Sequence, residues 1–192
     1  YQVMGARVNE TGLPLLYVHG VGGQDELVFD GASFGMSGDG SLGYQGETFR
    51  EAVDIVAFEG SRVTGPIAPP LTEEETIYRA LETGVRDYVD KNRFPGVLIG
   101  LSGGIDSALV AAIAVDALGP ENVIGVSMPS RYSSDHSMTD ANELAANLGI
   151  GYLTIPIEPA HAAMLEMMAD AFEGTAPGTA EENLQSRQRA NV

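Results

Sequence analysis

The residues with the clearest chemical potential in this chain form the six-residue stretch Ser102-Gly103-Gly104-Ile105-Asp106-Ser107. Glycines let a backbone approach a ligand closely, and serine hydroxyls can donate hydrogen bonds to phosphate oxygens. Together with Gly100, the stretch also fits the pattern G-x-S-x-G, in which a strained turn exposes a serine nucleophile. The residues therefore indicate a phosphate-binding loop, a serine hydrolase or a turn with a structural role only.

The carboxylate of Asp106 distinguishes the first two interpretations. A carboxylate repels a phosphate unless a cation lies between them, and Mg²⁺ binds oxygens of both kinds. The stretch lacks the Gly-Lys-Ser/Thr of a Walker-type loop, whose lysine reaches the terminal phosphates. The sequence therefore favours a loop that binds a whole pyrophosphate as a leaving group, with Asp106 as a ligand of Mg²⁺.

A serine hydrolase requires more of the sequence. After Ser102 it needs an acid and then a histidine in chain order, and His136 or His161 would have to serve. That interpretation gives no role to Asp106 or Ser107, so it is the least favoured one. We expect His136 in a solvated loop and His161 at a surface or an interface.

The pattern of elements around the loop predicts a parallel sheet. Strands alternate with helices: the strands are expected at residues 96–101, 123–128 and 152–157, and the helices at residues 106–118, 138–148 and 159–172. Such alternation forms right-handed βαβ units, whose ligands bind beyond the carboxyl ends of the strands. The predicted fold class is therefore α/β, with a Rossmann-like parallel sheet and flanking helices.

The beginning of the chain has a different pattern. Residues 1–59 are mostly β, with a hairpin expected around the turn Asp30-Gly31 and a glycine-rich loop at residues 20–25. A closing strand is expected at residues 52–58.

A linker separates this β-rich part from the alternating part. Residues 61–71 are rich in glycine, proline and small polar residues, which is typical of a linker. Thr72, with Glu75 three positions later, then predicts a capped helix start. We therefore expect two domains, at residues 1–60 and 72–192.

Composition excludes several classes of function. The formal net charge is −17, so we expect no broad basic face for nucleic acid or for an anionic membrane. The chain has no cysteine, which excludes disulfides, thiolate metal sites and a cysteine nucleophile within these residues. No apolar run reaches the length of a membrane span, and the composition is compatible with the cytoplasm.

Longer stretches on both sides of the loop resemble the NAD synthetases, one branch of the N-type ATP pyrophosphatases. The loop alone does not separate this branch from the GMP and asparagine synthetases. The stretches that carry the resemblance are Ser127-Met128-Pro129-Ser130-Arg131-Tyr132-Ser133-Ser134-Asp135-His136-Ser137 and Glu181-Glu182-Asn183-Leu184-Gln185. Earlier in the chain, Val21-Gly22-Gly23-Gln24-Asp25-Glu26-Leu27-Val28-Phe29-Asp30-Gly31 is similar to the end of the nitrilase-like glutaminase domain of glutamine-dependent members.

The resemblance implies a closing piece of an α/β/β/α nitrilase-like sandwich, followed by an adenine nucleotide alpha hydrolase-like domain. It implies an ATP-dependent carbon–nitrogen ligase that adenylates deamido-NAD, releases pyrophosphate and forms NAD with ammonia from glutamine. The implied cofactors are ATP and Mg²⁺, and the implied enzyme is a cytoplasmic homo-oligomer. Another amidating ATP pyrophosphatase and a non-catalytic ATP-binding module stay open as alternatives.

The resemblance also assigns roles to individual residues. It places deamido-NAD against Asn183, and it places Arg131, Ser133 and Ser134 in a loop over the pyrophosphate. The residues that would bind ATP, with Asp106 also on the metal ion, are Gly100, Leu101, Ser102, Gly103, Gly104, Ile105, Asp106 and Ser107.

The chain departs from the family pattern in several places. The Cys, Glu and Lys of the glutaminase triad would precede Tyr1, and further substrate contacts would follow Val192. His19 stands where the family usually has asparagine, and residues 188–192 drift from the family's helix pattern. We therefore expect an internal fragment of a longer chain, without activity of its own.

Overall fold

The structure is a computed structural model, and it describes residues 1–131, 133–174 and 178–192. The chain divides into two compact units, Tyr1–Phe94 and Pro95–Val192. The first unit is mainly β, and the second is an α/β unit. Among the described helices, none combines the length and the apolar character that crossing a membrane requires.

Short antiparallel strands and two helices build the first unit. Its elements are α1 (Gln2–Thr11), β1 (Leu15–Tyr17), β2 (Val21–Gln24), β3 (Leu27–Asp30), β4 (Phe34–Met36), β5 (Leu42–Gln45), β6 (Ala57–Glu59), β7 (Arg62–Thr64) and α2 (Glu73–Asn92). Strand β4 pairs with both β1 and β5, whereas β2–β3 and β6–β7 are separate hairpins. Val8 on α1 packs with Phe34 and Met36 in the core of this unit.

Three expectations for the first unit are wrong. The turn Asp30-Gly31 joins β3 to β4, but β3 pairs with β2, and β4 pairs with β1 and β5. The segment expected as a glycine-rich loop at residues 20–25 contains strand β2, because these residues pair antiparallel with β3. Of the strand expected at residues 52–58, only the last two positions belong to β6.

Helix α2 begins where the sequence predicts. Oγ1 of Thr72 accepts a hydrogen bond from the N–H of Glu75 at 3.1 Å, and three glutamates occupy the first turn, where the helix dipole favours negative charge. The helix contacts β2 and β3, and these contacts group it with the first unit. The sequence predicts residues 72–192 as one domain, and that division stays a prediction.

A three-stranded parallel sheet with flanking helices forms the second unit. Its elements are β8 (Val97–Gly100), α3 (Ile105–Leu118), a 3₁₀ turn (Pro120–Asn122), β9 (Val123–Ser127), α4 (Asp135–Leu148), β10 (Gly151–Thr154), α5 (Glu158–Met167), α6 (Ala169–Phe172) and α7 (Thr179–Arg189). The strand order is β10-β9-β8, and both pairings are parallel. The core combines Leu101 and Val123 with alanines of α3 and α4. The predicted α/β class is confirmed.

Candidate functional site

The loop at residues 101–104 connects β8 to α3 at the carboxyl edge of the parallel sheet. Leu101 is buried, and its N–H donates to the carbonyl oxygen of Val126 at 2.8 Å, so pairing continues one residue beyond β8. Helix α3 begins at Ile105. The loop is therefore fixed at both ends, at the edge where parallel sheets bind their ligands.

Ser102 and Ser107 bond to each other and to the backbone of the loop. Their hydroxyl oxygens lie 3.1 Å apart. Oγ of Ser107 accepts from the N–H of Ser102 at 3.2 Å and donates to the carbonyl oxygen of Gly104 at 3.0 Å. Oγ of Ser102 accepts from the N–H of Gly104 at 3.2 Å. This network holds both hydroxyl groups within the loop, where a ligand oxygen can exchange for one of these partners.

Gly103 and Gly104 give the loop its turn and its close packing. Gly103 has φ +78°, and an added Cβ would lie 2.4 Å from the carbonyl oxygen of Ser137. Gly104 is the N-cap of α3, and no side chain caps this helix. The first-turn N–H groups and the positive end of the helix dipole are therefore suited to an anion.

The structure does not support a hydrolase triad around Ser102. Within the described part of the chain, Oγ of Ser102 bonds to Ser107 and Gly104, not to a histidine. His136 is exposed, as expected, but it lies on α4 rather than in a loop. His161 is fully buried on α5, so the expected surface position is wrong.

A cavity of about 410 Å³ lies beside the loop. Its wall combines the ends of β8 and β9 with the start of α4 and one residue of α7. The residues that line it are Gly100, Leu101, Ser102, Ser127, Met128, Pro129, Ser133, Ser134, Ser137, Met138 and Arg189. Five serines and one arginine therefore line a space at the carboxyl edge of the sheet.

Only some of the predicted site residues line this cavity. Five of them do: Gly100, Leu101, Ser102, Ser133 and Ser134. Ile105 and Asp106 are exposed on the first turn of α3, and Asn183 is exposed on α7. Asp106 thus presents its carboxylate to solvent next to the loop. Tyr132, within the predicted loop over the pyrophosphate, lies outside the described residues.

Arg131 is bound to an acidic residue of α5. Nε of Arg131 donates to Oε1 of Glu158 at 2.7 Å, and its backbone N–H donates to Oε2 at 3.0 Å. Hydrogen bonds from the Arg131 side chain, and then from its backbone, hold the pKa of Glu158 below its ordinary value. Arg131 would have to exchange this partner for a phosphate, so its contact with pyrophosphate stays a prediction.

The sequence assigns Asn183 of α7 to the site, but it does not predict the bonds that two other side chains of this helix make. Nε of Arg189 donates to the carbonyl oxygen of Met128 at 3.3 Å, and the buried Gln185 donates to Oγ of Ser130. Helix α7 therefore supports the segment that follows β9. Arg189 is one of only 10 basic residues in an acidic chain, which is the sole signal in the sequence that could have drawn attention to it.

Asp106 can supply a metal ion with one ligand. Across the described residues, no group of three His, Asp or Glu side chains is placed to hold a metal ion. Mg²⁺ commonly takes only one or two carboxylates and completes its shell with phosphate oxygens and waters. A single exposed carboxylate beside the loop at residues 101–104 fits that donor set if the loop binds a phosphate.

The sequence profile of the NAD synthase family matches residues 77–192. The glutamine-dependent NAD(+) synthetase of Rhodobacter capsulatus is 51% identical over 196 residues, which cover 100% of this chain and 36% of that protein. The enzyme of the same name from Synechocystis is 47% identical over 184 residues, which cover 94% of this chain and 33% of that protein. The chain therefore spans about a third of these relatives.

Solved structures give the same result. The glutamine-dependent NAD+ synthetase of Acinetobacter baumannii, in complex with ADP, superposes with a TM-score of 0.93 at 38% identity. That match covers 99% of this chain and 37% of the other. The NH3-dependent NAD synthetase of Campylobacter jejuni superposes with a TM-score of 0.55 at 30% identity and covers 63% of this chain and 50% of its own. The chain belongs to the NAD synthase family.

Proposed function

We propose that these residues are part of a glutamine-dependent NAD synthetase, an ATP-dependent carbon–nitrogen ligase. The observation that carries the proposal is the loop between β8 and α3, which presents two serine hydroxyls and an uncapped helix start at the edge of a parallel sheet. The family match over residues 77–192 supports the same reading.

The proposed reaction makes an amide from a carboxylate. A carboxylate oxygen of deamido-NAD attacks the α-phosphorus of ATP, and the bond from that phosphorus to pyrophosphate breaks. Ammonia then attacks the carbonyl carbon of the mixed anhydride, AMP leaves, and the nitrogen loses a proton to give the amide. The first step turns a poor acyl donor into a good one, and the second step uses it.

The residues of the loop hold the phosphates of ATP in this proposal. The hydroxyls of Ser102 and Ser107 and the first-turn N–H groups of α3 donate to phosphate oxygens. Gly103 and Gly104 let the backbone approach. Mg²⁺, when bound with ATP, neutralises phosphate charge, and Asp106 is the residue of this chain that we assign to it.

Deamido-NAD and the pyrophosphate that leaves ATP are assigned to residues near α7 and α4. We assign deamido-NAD to Asn183, and pyrophosphate to Arg131, Ser133 and Ser134. Ser133 and Ser134 line the cavity beside the loop, which supports their assignment. Arg131 would first have to leave Glu158.

Two parts of the sequence, whose bounds differ from those of the compact units, receive different roles in the proposed enzyme. Residues 1–60 close a nitrilase-like glutaminase domain, residues 61–71 form a linker, and residues 72–192 begin the synthetase domain. The chain has no cysteine, so the nucleophile that releases ammonia from glutamine belongs to another part of the protein. A cytoplasmic location and a homo-oligomer complete the proposal and rest on the family resemblance.

Substitution of Ser102 separates this proposal from a serine hydrolase. In the full-length protein, we expect Ser102→Ala to raise the KM for ATP about tenfold, because one hydrogen bond to a charged phosphate is lost. A fluorophosphonate probe should label neither the wild type nor the variant. Labelling of the wild type at Ser102, with ester cleavage that Ser102→Ala abolishes, would contradict the phosphate-binding role.

A further inference from the structure

Helix α2 holds the backbone of Gly23 with two side chains. The N–H of Gly23 donates to Oδ2 of Asp87 at 2.8 Å, and Nζ of Lys91 donates to the carbonyl oxygen of Gly23 at 2.6 Å. Nζ of Lys91 also lies 2.9 Å from Oδ2 of Asp87. One turn of the helix therefore binds both polar backbone groups of one strand residue. We call Gly23, Asp87 and Lys91 the Gly23 clamp.

The clamp depends on close contact between the helix and the strand. An added Cβ at Gly22 would lie 2.8 Å from Oδ2 of Asp87, and one at Gly23 would lie 3.1 Å from the Cα of Gly84. Thr83, beside Gly84, is buried. Strand β2 thus meets α2 through backbone and polar groups rather than through large apolar side chains.

The charges of the clamp are arranged to keep Asp87 ionised. Burial is the largest influence on the pKa of Asp87 and acts to raise it. Hydrogen bonds from Lys91 and from the N–H of Gly23, together with the charges of Lys91 and Arg86, outweigh burial and leave the pKa lowered. At neutral pH the carboxylate is therefore a charged acceptor for Gly23.

The clamp joins a strand that we assign to the glutaminase part to a helix that we assign to the synthetase part. The family profile begins at residue 77, within α2, whereas β2 precedes it and resembles the glutaminase part. Helix α2 ends at Asn92, and β8 begins at Val97 and leads directly into the loop at residues 101–104. Helix α2, which contacts the β2–β3 hairpin, is therefore joined by a short connection to β8. Strand β8 in turn leads into the loop that we assign to phosphate.

We propose that Asp87 and Lys91 are positioning residues for synthesis driven by glutamine. The inference rests on the proposed function, because it concerns the transfer of nitrogen from glutamine to the acyl adenylate. Ammonia that is released by one part of the enzyme escapes to solvent unless that part is held in place. Ammonia that is added to the solution reaches the acyl adenylate without such restraint.

The test uses the full-length protein and three variants. Asp87→Ala removes the acceptor for Gly23, Asp87→Asn keeps an oxygen that can accept, and Asp90→Asn changes an exposed charge on the same helix as a control. The measurements are NAD formed per glutamate released, the NAD formation rate with ammonium as the nitrogen source, and hydrogen exchange of residues 21–24.

We expect Asp87→Ala to lower the yield of NAD per glutamate by about threefold or more, with the ammonium-driven rate kept within about twofold. Hydrogen exchange at residues 21–24 should become faster in Asp87→Ala. The yield and the exchange rate of Asp87→Asn should lie between those of the wild type and Asp87→Ala. Asp90→Asn should match the wild type in both. An unchanged yield despite faster exchange, or an equal loss with ammonium, would overturn the inference. A wild type that forms no NAD from either nitrogen source would overturn the proposed function itself, before any variant is compared.

Discussion

Replacing Asp106 with asparagine in the full-length protein is expected to lower the rate of AMP formation from ATP by about a hundredfold or more. Asp106 lies exposed on the first turn of α3, directly after the loop that we assign to the phosphates of ATP. A carboxylate at a helix start that receives an anion is unfavourable unless a cation joins the two. The amide of asparagine keeps the shape of the side chain but is a weaker ligand for Mg²⁺.

The measurement is the rate of AMP formation as a function of Mg²⁺ concentration. Asp116→Asn makes the same change further along α3 and should leave the Mg²⁺ dependence unchanged. If the loss in Asp106→Asn arises from metal binding, higher Mg²⁺ should recover part of the rate. An Asp106→Asn variant with the wild-type rate and Mg²⁺ dependence would rule out the assignment of Asp106 to the metal.

Replacing Gly103 with alanine is expected to remove most of the ATP-dependent activity and to destabilise the second unit. The residue has φ +78°, a conformation that costs an alanine about 1 kcal/mol. In addition, the new Cβ would lie 2.4 Å from the carbonyl oxygen and 2.7 Å from the Cα of Ser137. Because both atoms are backbone, the loop and the start of α4 must move apart, which displaces Ser102 and Ser137 in the cavity wall.

Gly149→Ala is a matched control for this substitution. Gly149 has φ +70°, and its added Cβ would have Pro120 as its nearest neighbour at 4.0 Å. It therefore carries the conformational cost without the collision. ATP binding, followed by calorimetry, and the thermal midpoint should fall in Gly103→Ala, whereas Gly149→Ala should lower only the midpoint. Equal effects of the two substitutions would show that the packing of Gly103 on Ser137 is not essential.

The second unit is largely predictable from the sequence. Its strands are short apolar runs, and the alternation of strands and helices from β8 to α5 permits few topologies. The helix expected at residues 159–172 is instead divided into α5 and α6. The loop at residues 101–104 follows from the same logic, since it lies between a strand and a helix. Ser127 and Met128 could also have been expected near it, because the carboxyl ends of adjacent parallel strands share one edge of the sheet.

The first unit is less predictable, because its contacts do not depend on apolar periodicity. Ile77 and Leu81, which are spaced to share a face of α2, are 55% and 47% exposed. The helix instead contacts β2 through Gly84, Asp87 and Lys91. A pattern based on hydrophobic spacing therefore finds the helix but not its polar contacts with β2. The pairing of β3 with β2 rather than β4 was missed for a related reason: local turn chemistry does not specify strand partners.

Contacts between residues that are distant in the chain also limit what the sequence can predict about the site. The bonds of Arg131 to Glu158 and of Arg189 to Met128 join residues that are far apart in the chain. Neither bond leaves a local signature in the sequence. The residue types near the site were therefore predictable, but their partners were not.

The most direct test of the central claim follows AMP, pyrophosphate and NAD together in the full-length protein, with ATP, Mg²⁺, glutamine and deamido-NAD. If the loop at residues 101–104 presents the pyrophosphate of ATP as a leaving group, AMP and pyrophosphate should form only when deamido-NAD is present, and NAD should match AMP in amount. Binding of ATP without AMP formation would leave only a nucleotide-binding module. Formation of ADP and phosphate in place of AMP and pyrophosphate would contradict the assignment of the loop.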